Sequence, residues 1–167
     1  MLKSLRKMTG IVVNRETGVV KDKLCQSSKL WQSFYNMKKK ILFVCIENSN
    51  RSQMSQAFAI IHGKKNIEAY SAGSKPGGIV NPKAIAAMAA LGYDLGKHES
   101  KSLDEVKQFA PFDVVVTMGC GDACPWMPAK KFIDWQIPDP KNMEPDAFNE
   151  VRDLIEKKVN ELIDELE

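Results

Sequence analysis

Cys45 and Arg51 stand six positions apart in the stretch "CIENSNRS". A short β-branched run, Ile41–Cys45, precedes them, and a helical pattern follows from Ser52. The spacing places one thiol and one guanidinium on the turn that joins a strand to a helix. Backbone N–H groups at a helix N-terminus attract anions, and a looped nest of them can surround a tetrahedral oxyanion. The same field favours a thiolate at Cys45, which makes it a nucleophile. Arg51 offers a planar fork that binds two oxygens at once. Ser52 can donate to the thiolate, and Asn48 tolerates the left-handed backbone that a tight loop needs. The oxyanion-binding loop is therefore expected to comprise Cys45, Ile46, Glu47, Asn48, Ser49, Asn50 and Arg51. Its ligand is a phosphate-like or arsenate-like oxyanion attacked by sulfur. The competing reading makes Cys45 a small buried residue and Arg51 a surface charge.

Two further places carry chemistry. Asp139-Pro140 lies in "DWQIPDPKN" after the last strand, where a carboxylic acid could protonate a leaving oxygen. Asp-Pro also commonly marks a plain turn. In "VVVTMGCGDACPWMP", Cys120 follows a strand end and Cys124 comes four residues later. Were that stretch helical, the two sulfurs would share a face. Two thiols at the same sheet edge as an oxyanion-binding thiolate suggest electron transfer by thiol–disulfide exchange. The bland competitor is a pair of structural cysteines. His62 and His98 match no common zinc spacing, so no metal site is expected. His62 reads as a helix C-terminal residue and His98 as a surface loop residue.

Strands alternating with helices must position these groups. Strands are predicted at Ile41–Cys45, Ile67–Ser71, Asp113–Met118 and Lys131–Trp135. A helix is predicted over Ser52–His62, with Met54, Phe58 and Ile61 on one face and Gly63 as its stop. Asn81-Pro82 caps another through Ala84, Ile85, Met88 and Leu91. Ser102–Phe109 opens on a Ser-x-x-Glu capping box. From Pro145 an amphipathic helix presents Phe148, Val151, Leu154, Ile155, Val159, Leu162 and Ile163 on one side. The pattern implies an α/β fold: a four-stranded parallel sheet with helices on both faces, a three-layer, flavodoxin-like sandwich. Ligands bind such sheets beyond the C-terminal strand edges, where the turn after the first strand lies.

Composition bounds the rest. The 167 residues suit one domain, and no apolar run approaches the roughly 18 to 20 residues of a membrane helix. A net charge of +3 gives a nucleic-acid role no bulk support. The charge is uneven: residues 1–40 hold ten Lys/Arg against two Asp/Glu, a net +8, which leaves −5 for the remainder. Residues 1–37 read as a flexible basic extension, or as an upstream start before Met37, with a targeting peptide as the sharper alternative. Residues 38–167 form the expected catalytic domain. The four cysteines, without a secretory apolar region, point to a reducing, cytoplasmic setting.

These residues together resemble the arsenate reductases built on the low-molecular-weight tyrosine phosphatase fold. The likeness rests on Cys45-x-x-Asn48-x-x-Arg51-Ser52-Gln53-Met54, Ser71-Ala72-Gly73, Thr117-Met118-Gly119-Cys120 with Cys124-Pro125, and Asp134-Trp135 leading to Asp139-Pro140. It runs from about Lys38 to the C-terminus. The resemblance implies that Cys45 attacks arsenate held by the loop and Arg51, and that Asp139 protonates the departing oxygen. It further implies that Cys120 attacks Cys45 to release arsenite and that Cys124 takes over the disulfide. No bound cofactor is implied; the electrons come from an external thiol, a thioredoxin, a glutaredoxin-type protein or a low-molecular-weight thiol. A monomer is expected, with neither nucleic acid nor membrane as partner. The alternatives are a low-molecular-weight phosphatase acting on phosphotyrosine or another phosphomonoester, which leaves Cys120 and Cys124 unemployed, and a non-enzymatic oxyanion-binding or redox-sensing module. Glu47 stands where such loops often have glycine, pointing outward or weakening anion binding. Asn50 replaces a second cysteine of many relatives, and Gln56 replaces a glutamate that helps bind potassium in some, so no strong potassium dependence is expected.

Overall fold

The computed structural model describes residues 38–119 and 127–166, together with the backbone of residues 12–13 and 20–21. The chain divides into two units, Met1–Met37 and Lys38–Glu167. In the first, β1 (Val12–Val13) pairs antiparallel with β2 (Val20–Lys21). The remainder of the expected flexible extension lies outside the described residues.

In the second unit β3 (Lys39–Cys45) leads through a loop into α1 (Arg51–Gly63), then β4 (Ile67–Gly73) and α2 (Pro82–Ala89). Two 3-10 turns (Leu95–Lys97 and Lys107–Phe109), α3 (Leu103–Val106), β5 (Phe112–Thr117), β6 (Ala129–Asp134) and α4 (Pro145–Leu166) complete it. The four strands form one parallel sheet in the order β4-β3-β5-β6. After β3 the chain first adds β4 on one side, then crosses to place β5 on the other. The direction of winding therefore reverses at the C-terminal end of β3, where Cys45 sits.

Alternation along β3 explains the layers. Ile41, Phe43 and Cys45 point into one core with Met54 and Phe58 of α1, Met88 of α2 and Ile155 and Val159 of α4. Leu42 and Val44 point into a smaller core with Leu103, Val106, Phe112 and Val115. Burial on both faces is why the strand reads as an unbroken apolar run rather than an alternating one. The caps predicted from sequence form: Asn81 accepts from the Lys83 N–H at 2.9 Å, and Ser102 and Glu105 complete a capping box. Among the described residues no helix is long and apolar enough to cross a membrane.

Several expected core positions face solvent instead. Ile61 and Leu154 are 39% and 37% exposed, because each sits at the margin of a helical stripe narrower than its apolar sequence suggests, and Leu91 is 46% exposed because its helix ends at Ala89, short of it. The last strand begins two residues earlier than expected and ends at Asp134. It is an edge strand carrying Lys130 and Lys131, whose charges guard an open edge and blur the apolar pattern.

Candidate active site

The loop after β3 is held by its carbonyls. The oxygen of Cys45 accepts from the Ser74 N–H at 3.1 Å, and that of Ile46 from the Lys75 N–H at 2.8 Å. The Glu47 oxygen accepts from the Gly77 N–H and the Ser100 hydroxyl, both at 2.9 Å. Those of Asn48, Ser49 and Asn50 accept from Gln53 Nε2, the Asn81 N–H and the Met54 N–H, each at 3.0 Å. Six consecutive carbonyls are thus each engaged by a donor, an arrangement that can free the intervening N–H groups for an anion. Asn48 supplies the needed bend with φ 49°. A loop of this kind, running into the start of α1, has the backbone form that suits an oxyanion.

Gly73, paired with Cys45 in the sheet, lets the β4 backbone approach this loop. A Cβ there would lie 2.7 Å from the Ile46 oxygen and 3.0 Å from the Asn48 nitrogen.

Cys45 is buried at 3% exposure, with Sγ 3.0 Å from Oγ of Ser52. Nδ2 of Asn48 donates to that Oγ at 2.8 Å. An occupied lone pair leaves the serine hydrogen free to point at sulfur. The sense of donation can be followed outward. Gln53 Nε2 is surrounded by the Asn48 oxygen, Asn48 Oδ1 and the Glu99 oxygen at 3.0, 2.9 and 2.8 Å, which fixes its amide orientation. Gln53 Oε1 must then accept, so His98 Nδ1 donates to it at 3.0 Å. In the neutral imidazole Nε2 accepts from the Tyr93 hydroxyl at 2.9 Å. Donors thus point one way from Tyr93 to the sulfur of Cys45.

His98 is therefore not the surface residue expected from sequence. It is half-buried, and burial, followed by the Lys101 charge, holds its pKa below the ordinary 6.5. Gln53 and Tyr93 were likewise missed. The Gln53 in the Arg-Ser-Gln run was the available signal, since a buried amide one turn into a helix needs partners.

Arg51 is 5% exposed and spans to a second loop. Its NH1 donates to the Ile137 carbonyl and its NH2 to Asp139 Oδ2, both at 3.1 Å. Gly119, with φ +71°, allows close passage, since a Cβ there would meet NH1 at 3.1 Å. The structure thus brings together Cys45, Arg51, Ser52 and Asp139. Cys120 and Cys124 lie outside the described residues. Glu47 points outward: Oε1 accepts from Lys141 Nζ at 2.6 Å, and that hydrogen bond is the main cause holding its carboxyl below the ordinary range. Asn50 is 4% exposed, and its Oδ1 is a buried atom with no hydrogen-bond partner among the described residues. His62 pairs with Glu156 at 2.8 Å, away from the loop. Among the described residues no group of three His, Cys, Asp or Glu side chains gathers as a metal site.

Comparison with known proteins finds the same fold and similar sequences. A family model described as low molecular weight phosphotyrosine protein phosphatase matches residues 40–167. The glutaredoxin arsenate reductase of Synechocystis sp. is 37% identical over 130 residues, covering 75% of this chain and 96% of that protein. Arsenate reductase 2 of Staphylococcus saprophyticus subsp. saprophyticus is 39% identical over 133 residues, covering 76% and 98%. A solved structure described as an arsenate reductase in the phosphate binding state superposes with a TM-score of 0.69 at 34% identity, covering 77% of this chain and 99% of that one.

Proposed function

The chain belongs to the low molecular weight phosphotyrosine protein phosphatase family, and we propose that within it this protein reduces arsenate to arsenite. The observation that carries the reading is the loop itself, whose donor-engaged carbonyls, buried Arg51 and Ser52-bonded Cys45 suit a tetrahedral oxyanion attacked by sulfur. The names of the similar proteins favour arsenate over a phosphoester. Catalysis is assigned to residues 38–167.

The steps balance as follows. The Cys45 thiolate attacks arsenic, forming an S–As bond, and an oxygen leaves as water with a proton from Asp139. Cys120 then attacks the Cys45 sulfur. The S–As pair moves to arsenic, which is reduced from the +5 to the +3 state, and a Cys45–Cys120 disulfide forms. Cys124 attacks Cys120, restoring the Cys45 thiol and leaving a Cys120–Cys124 disulfide. An external thiol reductant, of thioredoxin, glutaredoxin or low-molecular-weight type, supplies two electrons to reopen it. The assignments of Cys120 and Cys124 rest on sequence alone. Such a cycle suits a reducing compartment, and we place the protein in the cytoplasm.

The test compares wild type with Cys120→Ser. Arsenate turnover is measured with a thioredoxin system or with glutathione and glutaredoxin, beside hydrolysis of an aryl phosphate. Loss of arsenate turnover with hydrolysis retained is expected. Full arsenate turnover in Cys120→Ser would defeat the relay. Aryl phosphate hydrolysis alone in the wild type would make the protein a phosphatase.

A further inference from the structure

Two loops from distant parts of the chain meet at the mouth of the site, and an ion pair joins them. Glu47 Oε1 accepts from Lys141 Nζ at 2.6 Å across 94 residues of sequence. Each partner is tied to the chemistry on its own side. The Glu47 carbonyl is fixed by Gly77 and Ser100, and its Oε2 accepts from the Ser49 hydroxyl at 3.3 Å. On the other side the Lys141 N–H donates to Asp139 Oδ1 at 3.2 Å. Asp139 is otherwise held by Arg51, the residue that must also meet an incoming oxyanion. When an oxyanion claims that guanidinium, the Glu47–Lys141 pair is the remaining ionic tie between the two loops among the described residues.

We propose that Glu47 and Lys141 form a clasp that holds the Asp139 loop against the Cys45 loop during turnover and sets the charge the site offers to anions. The inference rests on the function proposed above, with both residues acting as positioning residues. Neutralised by Lys141, the Glu47 carboxylate does not oppose an anion bound beside it. Freed of Lys141, it would. The two halves of the clasp therefore have opposite effects on binding but the same effect on the Asp139-dependent step. A pair that served stability alone would show no such split.

The experiment uses the full chain. Glu47→Gln, Lys141→Met and the charge-swapped double variant Glu47→Lys/Lys141→Glu are titrated calorimetrically with inorganic phosphate at low and high salt. Their kcat for arsenate is measured alongside. Lys141→Met should weaken phosphate binding and Glu47→Gln should strengthen it, each by roughly two- to fivefold, the scale of an exposed ion pair. Both should lower kcat by a similar factor, and the double variant should recover it. High salt should shrink every difference, because the pair is exposed. Unchanged kcat in both single variants, phosphate affinities moving in the same direction, or a double variant no better than the singles would overturn the clasp. A wild type without arsenate turnover defeats the function proposed above. The phosphate titrations would still decide the charge effect.

Discussion

The two loops that frame Cys45 are built by opposite means. The oxyanion loop is buried from Asn48 to Gln53 and held through its backbone by donors from the segments after β4 and before α3. The Asp139 loop is largely exposed, and side-chain contacts from Arg51 and Glu47 carry it. Its carboxylate side chain is 49% exposed. A surface hydrogen-bonded along its main chain can hold a fixed geometry before a ligand arrives, at the cost of burying polar groups, of which Asn50 Oδ1 has no partner among the described residues. A loop held by one exposed ion pair and by a half-exposed carboxylate on a buried arginine can exchange partners more readily than a main-chain ladder. On the function proposed above, anion binding falls to the rigid side and proton delivery to the adjustable one.

The largest expected effect tests the adjustable side. Asp139→Asn should lower kcat by about 10²- to 10⁴-fold, the usual contribution of a positioned acid. Phosphate affinity should change little, because Asp139 is no part of the nest. A variant whose phosphate affinity collapsed with kcat would mean the two loops form one rigid unit, and the contrast would fail.

Next in size is a change on the rigid side. Gly73→Ala puts a methyl group 2.7 Å from the Ile46 oxygen, and both are backbone positions with little room to yield. Urea denaturation should show a loss of about 1–3 kcal/mol, the scale of overpacking. Phosphate binding should weaken as the nest distorts. Undiminished affinity would show that the loop is softer than its hydrogen bonds imply.

The same contrast explains what could be read from sequence. Cys45, Asn48, Arg51 and Ser52 lie within one strand–loop–helix, so spacing alone places them on one anion-binding turn. Asp139 was legible only as a carboxylate in a loop after the last strand; its Arg51 contact spans 88 residues. The strands and caps were legible because short apolar runs and Asn-Pro or Ser-x-x-Glu patterns are local. His98 was misread because its partner Gln53 is 45 residues away, and nothing in its neighbourhood marks it as buried. The sign of Glu47's effect was open for the same reason: its neutralising lysine is in a loop that sequence cannot bring near. Ile61 and Leu154 were misplaced because apolar periodicity gives the centre of a helical stripe better than its width.

The smallest effect concerns the outer end of the rigid side. Burial holds the His98 pKa below 6.5, with the Lys101 charge acting the same way and Asp94 opposing. Tyr93 and Gln53 are its direct contacts. The fold thus favours neutral His98. Its contribution to stability is present above the unfolded pKa, about 6.5, and is lost as pH falls through the folded value. Protonation would also turn Nε2 into a donor facing the Tyr93 hydroxyl, reversing the first link of the chain that ends at Cys45. Urea midpoints for wild type and His98→Gln should therefore converge as pH falls from 7.5 to 5, because only the wild type carries the His98 site, which its unfolded chain protonates more readily than its folded one. Parallel midpoints across that range would mean that His98 titrates alike in the folded and unfolded chain. The rigid side would then stop at Gln53.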